Sequence, residues 1–158
     1  MLMRRSLLTA LILSTVVPLL GCNGGPAPPP FKAVVDNKTL MSSIVEKQAN
    51  IVWESVGLID TAQGTEELRP HTDAEWTNIR EAAVTITEAG NLLMLVPRAQ
   101  DAGEWMKRSA DLIAQGERIV TAIDRRNPQD VFDVGADLYE ACVNCHRQYM
   151  PGVKEQYR

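Results

Sequence analysis

Residues 127–152 read NPQDVFDVGADLYEACVNCHRQYMPG, and the fold turns on how this stretch is wound. Asn127 followed by Pro128 supplies an N-cap and a first helical residue with a preset φ. Val131, Gly135, Leu138, Cys142, Cys145 and Tyr149 then recur at steps of three and four, which is one face of a helix. Pro151-Gly152 closes it. The stretch also gathers soft chemistry. The chain has three cysteines and two histidines, and Cys142, Cys145 and His146 fall within five positions.

Outward from this stretch, three more segments carry helical period, and none shows sustained strand alternation. The first spans about 38–56. Met41, Ile44, Gln48, Ile51 and Ser55 alternate by three and four, flanked by Leu40, Val45 and Val52, and Gly57 supplies a stop. The second spans about 73–96. It opens on Thr72-Asp73-Ala74-Glu75, a capping-box pattern, and continues through Trp76, Ile79, Ala83, Ile86, Gly90 and Leu93 to Pro97. The third spans about 101–126, with Trp105, Leu112, Gly116, Ile119 and Ile123 on one face. These patterns predict an all-α protein, an antiparallel up-down-up-down four-helix bundle. The connection 58–71 is long for such a bundle, and a short helical turn or a crossover at one end is expected there. Gly90, Gly116 and Gly135 fall on inner faces. They read either as close helix–helix packing or as room left for something large.

The chain opens MLMRRSLLTALILSTVVPLLGC. Arg4 and Arg5 precede an apolar run, 7–17, that is too short to span a bilayer, so residues 1–21 read as a signal peptide. Leu19-Leu20-Gly21-Cys22 resembles the bacterial lipobox, which implies a lipid on Cys22 as first mature residue. Asn23, in place of the aspartate associated with inner-membrane retention in enteric bacteria, leans toward the outer membrane. Residues 22–36 include NGGPAPPPF and read as an extended Gly/Pro-rich tether. Residues 37–158 are one domain. Without Arg4 and Arg5 the formal charge moves from -4 to -6, which argues against a nucleic-acid partner.

An exported segment containing C-x-x-C-H matches the attachment pattern of c-type haem. The chemistry needs this spacing. Two thiols add across the two vinyl groups of one porphyrin, and the adjacent imidazole reaches the iron. A Cys142–Cys145 disulfide would strain a helix and leave His146 without a role. A thioredoxin-like pair belongs at a helix N-terminus, where the dipole lowers the thiol pKa. A zinc site needs four ligands, and the only other histidine is His71.

With that motif near the end of four helices, the chain resembles the class II c-type cytochromes, the cytochrome c′ group. Their motif ends C-x-x-C-H-x-x-Tyr-Arg. Cys142, Cys145, His146 and Tyr149 stand in register, and Met150 replaces the final basic residue. Residues 40–57, LMSSIVEKQANIVWESVG, are similar to the first helix of a bacterial branch of these proteins. The resemblance implies one haem c per chain, covalently held by Cys142 and Cys145, with His146 as proximal iron ligand and Tyr149 packed against the porphyrin. Low-spin members transfer electrons and place a first-helix methionine on the iron. High-spin members bind NO or CO at an open distal site beside an apolar residue. In an up-down-up-down bundle the end of the fourth helix lies beside the start of the first, so Met41 is the candidate distal ligand. Met94 and Met106 are candidates to wall the pocket, and Lys38, Arg98, Lys107 and Arg108 to neutralise the haem propionates. Trp105 is expected near the haem and Trp53 and Trp76 far from it.

No carboxylate pairing, nucleophile constellation or phosphate loop points to an enzyme. The expectation is a lipid-anchored periplasmic electron carrier exchanging electrons with other periplasmic redox proteins. The alternative is a high-spin haem protein binding NO or CO, and a third is a helical interaction module whose haem is structural. Related bundles often dimerise through their first two helices, so a homodimer is among the expectations.

Overall fold

The first helix begins where the Asp36 carboxylate takes the free N–H of Thr39 at 2.8 Å, an acidic N-cap. In the computed structural model, which describes residues 31–150, this helix, α1, covers 37–53 in three pieces. They are an α-turn Asn37–Leu40, a π-helical segment Met41–Val45 and an α-helical segment Glu46–Trp53. The Glu46 N–H bonds to the Met41 carbonyl, five residues back, so this turn holds one residue more than an α-turn. The consequence shows in the core. Leu40, Val45, Ala49, Val52 and Val56 are buried, with a step of five across the π-turn and steps of three and four after it. The stripe expected from Met41, Ile44, Gln48 and Ile51 is half-buried instead. Its neighbours face in.

The chain is not all-α. The connection after α1 forms an antiparallel hairpin of β1 (Gly57–Thr61) and β2 (Gly64–Leu68), in register from Gly57 opposite Leu68 to Thr61 opposite Gly64. Thr61 closes it by donating its hydroxyl to the Gly64 carbonyl at 2.8 Å and accepting the Gln63 N–H at 3.2 Å. Gly64 takes φ +130°, open to glycine and strained for other residues. The expected helical turn or plain crossover is therefore replaced by strands. Neither face of the hairpin is buried, so no alternation marks it: Leu58 is 75% and Ile59 42% exposed.

Three long helices follow: α2 (Asp73–Leu93), α3 (Glu104–Asp124) and α4 (Pro128–Tyr149). The capping box forms at α2. Thr72 Oγ1 accepts the Glu75 N–H at 3.2 Å, and Glu75 Oε2 accepts the Thr72 N–H at 2.9 Å. Asn127 Oδ1 caps α4 by accepting the N–H groups of Gln129 and Asp130. Helix α2 packs extensively on α3 and α3 on α4, α1 rests mainly on α2, and the α1–α4 contact is sparser. One cluster runs through them all, from Leu40 and Val52 through Ile86 and Ile119 to Val131 and Leu138.

The inner-face glycines are sites of close approach. A Cβ on Gly90 would meet Ile113 Cγ1 at 2.5 Å and the Ser109 carbonyl oxygen at 3.1 Å, and one on Gly116 would overlap the Thr87 hydroxyl. Gly135 lies under the Trp53 ring, whose Nε1 donates to the Gly135 carbonyl at 2.9 Å. The alternative reading, that these glycines leave room for a large group, is corrected at Gly90 and Gly116, where Ile113 and Thr87 fill the space, while Gly135 also borders an apolar groove beside Trp53.

Gly116→Ala therefore tests the α2–α3 crossing. Alanine gains about 1 kcal/mol of helix propensity, but its methyl presses on Thr87 Cα at 3.2 Å, backbone that cannot swing away. Overpacking of this kind costs about 1–3 kcal/mol. Urea denaturation should show the variant net destabilised, by up to about 2 kcal/mol. A stabilised variant would mean the crossing is loose.

Candidate functional site

Cys142 and Cys145 lie on the last two turns of α4, unbridged and half-buried. Between them Val143 is 3% exposed, so the helix is pressed onto the core at the motif itself. Cys142 packs against the central cluster, as do Met41, Ala99, Met106 and Tyr149. His146, one turn after Cys142, is half-buried.

The electrostatics follow from this burial. Loss of water pushes the Cys142 thiol up to about 11, with Cys145 adding to the shift. Burial also raises Cys145, opposed by the Arg108 guanidinium, and it lowers His146. At neutral pH the segment presents two protonated thiols and a neutral imidazole. A redox-active dithiol needs a depressed thiol pKa, and here both move the other way. Among the described residues no three His, Cys, Asp or Glu side chains gather into a metal-binding group, so a zinc site finds no further ligands there.

The end of α4 is anchored. The Tyr149 hydroxyl donates to Asp101 Oδ2 at 2.6 Å, and its ring meets Trp105 edge-on at 4.9 Å. Trp105 Nε1 in turn donates to the Leu93 carbonyl at 2.8 Å. Tyr149 and Trp105 were expected at this end. Asp101 was read as the start of a helix and instead serves as a side-chain cap, with Oδ1 accepting the N–H groups of Gly103 and Trp105. An acid two residues before the N-cap Gly103 was the available signal.

The other candidates are spread. Met41 opens the π-helical segment, half-buried and one residue off the buried stripe, while Leu40 before it is 1% exposed. Met94 is the C-cap of α2. Lys38 and Lys107 are exposed. Arg108 is partly buried and faces Glu104 at 3.4 Å and Asp111 at 3.6 Å. Arg98 is buried. Trp53 lies against Gly135 and Tyr139, beside an apolar groove of about 400 Å³ that Val52, Val131 and Phe132 also line. Trp76 is buried on α2 and His71 is exposed before it. Cys22 and the segment before it lie outside the described residues, and among the described residues no helix is long and apolar enough to cross a membrane. Comparison of the chain with family models, with curated proteins and with solved structures finds no match.

The burial of Cys142 has a consequence in alkali. An unfolded cysteine titrates near 9, while folded Cys142 holds its proton to about 11. Between these values the unfolded chain loses the proton first, so the fold loses stability as pH rises through that window. With free thiols the loss should be roughly 2–3 kcal/mol, at about 1.4 kcal/mol per pH unit. Urea titrations at pH 8 and 11 should show it, and Cys142→Ser should remove most of it. An equal loss in that variant would place the Cys142 thiol in water.

Proposed function

We propose that the chain is an exported c-type haem protein, an antiparallel up-down-up-down bundle that carries electrons between periplasmic redox proteins. The observation that carries this reading is the end of α4, where two unbridged thiols and an imidazole are half-buried on consecutive turns and Cys142 packs on the core. The donor set fits haem. Cys142 and Cys145 would hold it, each placing sulfur on a vinyl carbon and its proton on the neighbouring carbon, with no electron gained or lost. His146 would present its lone pair to the iron, as burial favours the unprotonated ring. Haem supplies a one-electron ferric–ferrous couple. Val143 and Leu138 keep water from that end of α4, and the bond from Tyr149 to Asp101 holds the helix in place. Met41 is the proposed distal ligand. Cys22 is the proposed lipid anchor, with 22–36 as tether, which sets the domain at a membrane surface, the outer membrane by the lean of Asn23.

One observation favours the second reading, an open distal site for NO or CO. Leu40, not Met41, stands in the buried stripe of α1, and an apolar distal residue is what the high-spin branch carries.

Denatured wild-type protein should keep its colour through acid-acetone extraction and show the mass of chain plus haem. Cys142→Ser and Cys145→Ser should sharply reduce holoprotein, because binding and folding are coupled. Extractable haem, or the mass of the bare chain, would sink the proposal.

The distal ligand is tested on the same holoprotein. With Met41 on the iron, the spectrum is low-spin in both oxidation states and carbon monoxide binds poorly. Met41→Ala should then give a high-spin ferrous form that takes up carbon monoxide, with a lowered potential, since thioether sulfur favours ferrous iron. A wild type already high-spin and open to carbon monoxide hands the site to Leu40 and the gas-binding reading.

A further inference from the structure

We infer that Arg98 is a carboxylate-binding residue, placed to receive an acidic side arm of the prosthetic group; the inference rests on the haem reading above. Among the described residues Arg98 is the one charged side chain in the buried class, at 5% exposure. Its guanidinium has five donors. Its Nη2 reaches the Val35 carbonyl at 3.3 Å, and its buried Nε has no partner among the described residues. Guanidinium cannot escape this cost by losing its proton, because it stays charged at any pH a protein meets.

Arg80, Arg118 and Arg126 pair with Asp124, Asp137 and Asp73 at 2.9, 2.7 and 2.6 Å, all on the exposed surface where such pairs contribute little. Among the described residues, the one arginine removed from water has no carboxylate beside it. A buried, unpaired cation is strongly unfavourable unless an anion completes it.

Nor is the position an accident of a loose loop. The Arg98 N–H donates to the Leu95 carbonyl at 2.7 Å, and the Arg98 carbonyl accepts from Asn37 Nδ2 at 3.0 Å and Gln100 Nε2 at 3.1 Å. These bonds also locate it. Asn37 opens the helix that carries Met41, and Asp101, three residues on, takes the Tyr149 hydroxyl at the end of the Cys142–Cys145–His146 helix. Asn37 Oδ1 is likewise buried and, among the described residues, unpartnered. Haem brings two carboxylates on flexible arms, and a planar guanidinium fork binds a carboxylate through paired N–H donors.

The test compares exported, matured full-length wild type with Arg98→Gln and Arg98→Lys. Covalent haem is first measured by mass. It should be present in all three, since attachment needs only the motif. Loss of a cation beside the carboxylate arms should lower the reduction potential of Arg98→Gln, and Arg98→Lys should recover part of the shift. A second comparison uses the haem-free chain, Cys142→Ser with Cys145→Ser. There Arg98→Met should raise the melting temperature by removing an unpaired buried charge, while in the holoprotein it should lower it. An unchanged potential, or destabilisation of both forms alike, overturns the role of Arg98 and leaves the haem reading standing. A wild type without covalent haem overturns both. If the haem-free chain does not fold, the potential alone decides.

Discussion

The Asp101 carboxylate joins three helices at one point. Through Oδ1 it takes the N–H groups that start α3, and through Oδ2 the hydroxyl that ends α4. Trp105, held by the same acid, fixes its indole N–H on the last turn of α2. The Tyr149 hydroxyl foremost, then the two N–H groups, hold the Asp101 carboxyl below its ordinary range. Burial and the bond to Asp101 push Tyr149 up to about 12. The signs oppose each other. The stability from Asp101 is present above the ordinary carboxylate range and lost as pH falls through its folded value. That from Tyr149 is present below about 10 and lost as pH rises toward 12. The tie is therefore intact across all moderate pH. It matters because helix ends fray, and a frayed α4 would release Cys142, Cys145 and His146 into water.

Set against this anchored end, α1 is the less committed helix. The α2–α3 crossing is closed by glycines that meet Ile113 and Thr87, whereas α1 touches α4 sparsely and leaves the groove beside Trp53, Phe132 and Tyr139. Interiors packed to crystal-like density do not admit a large group without moving. A guest at the end of α4 is accommodated most cheaply where one wall has few contacts to lose. Helix α1 is that wall, and Met41 lies on it.

Legibility in the sequence tracked how local the cause was. The start of α4 was readable from Asn127-Pro128, and that of α2 from Thr72 and Glu75, because those caps are made by residues within one turn. The hairpin was not, because Leu58 and Ile59 are adjacent and exposed, and Ala62-Gln63 lacks the Asn-Gly signal of a tight turn. The glycines marked where side chains are missing but not what fills the gap. Thr87, Ile113 and Trp53 come from other helices, and only the fold brings them there. Arg98 stood level with Lys38, Lys107 and Arg108 as a cation for the haem propionates, and nothing local set it apart. Its burial depends on how the connection between α2 and α3 folds against the start of α1, which no local pattern records.

The face of α1 was misjudged for a reason that bears on function. Apolar residues stand at 40, 41, 44, 45, 51 and 52, so two stripes one residue apart satisfy the helical period equally well. A uniform α-helix with Val45 inward sets Met41, four residues earlier, on the same face. The π-turn inserts one residue and delivers Leu40 instead. An α-turn and a π-turn differ here by which N–H the Met41 carbonyl accepts, Val45 or Glu46. That exchange costs little, because one hydrogen bond replaces another, yet it rotates the chain by about 100° per residue. Whether a thioether or an isobutyl group meets the interior at the start of α1 therefore depends on one turn of backbone.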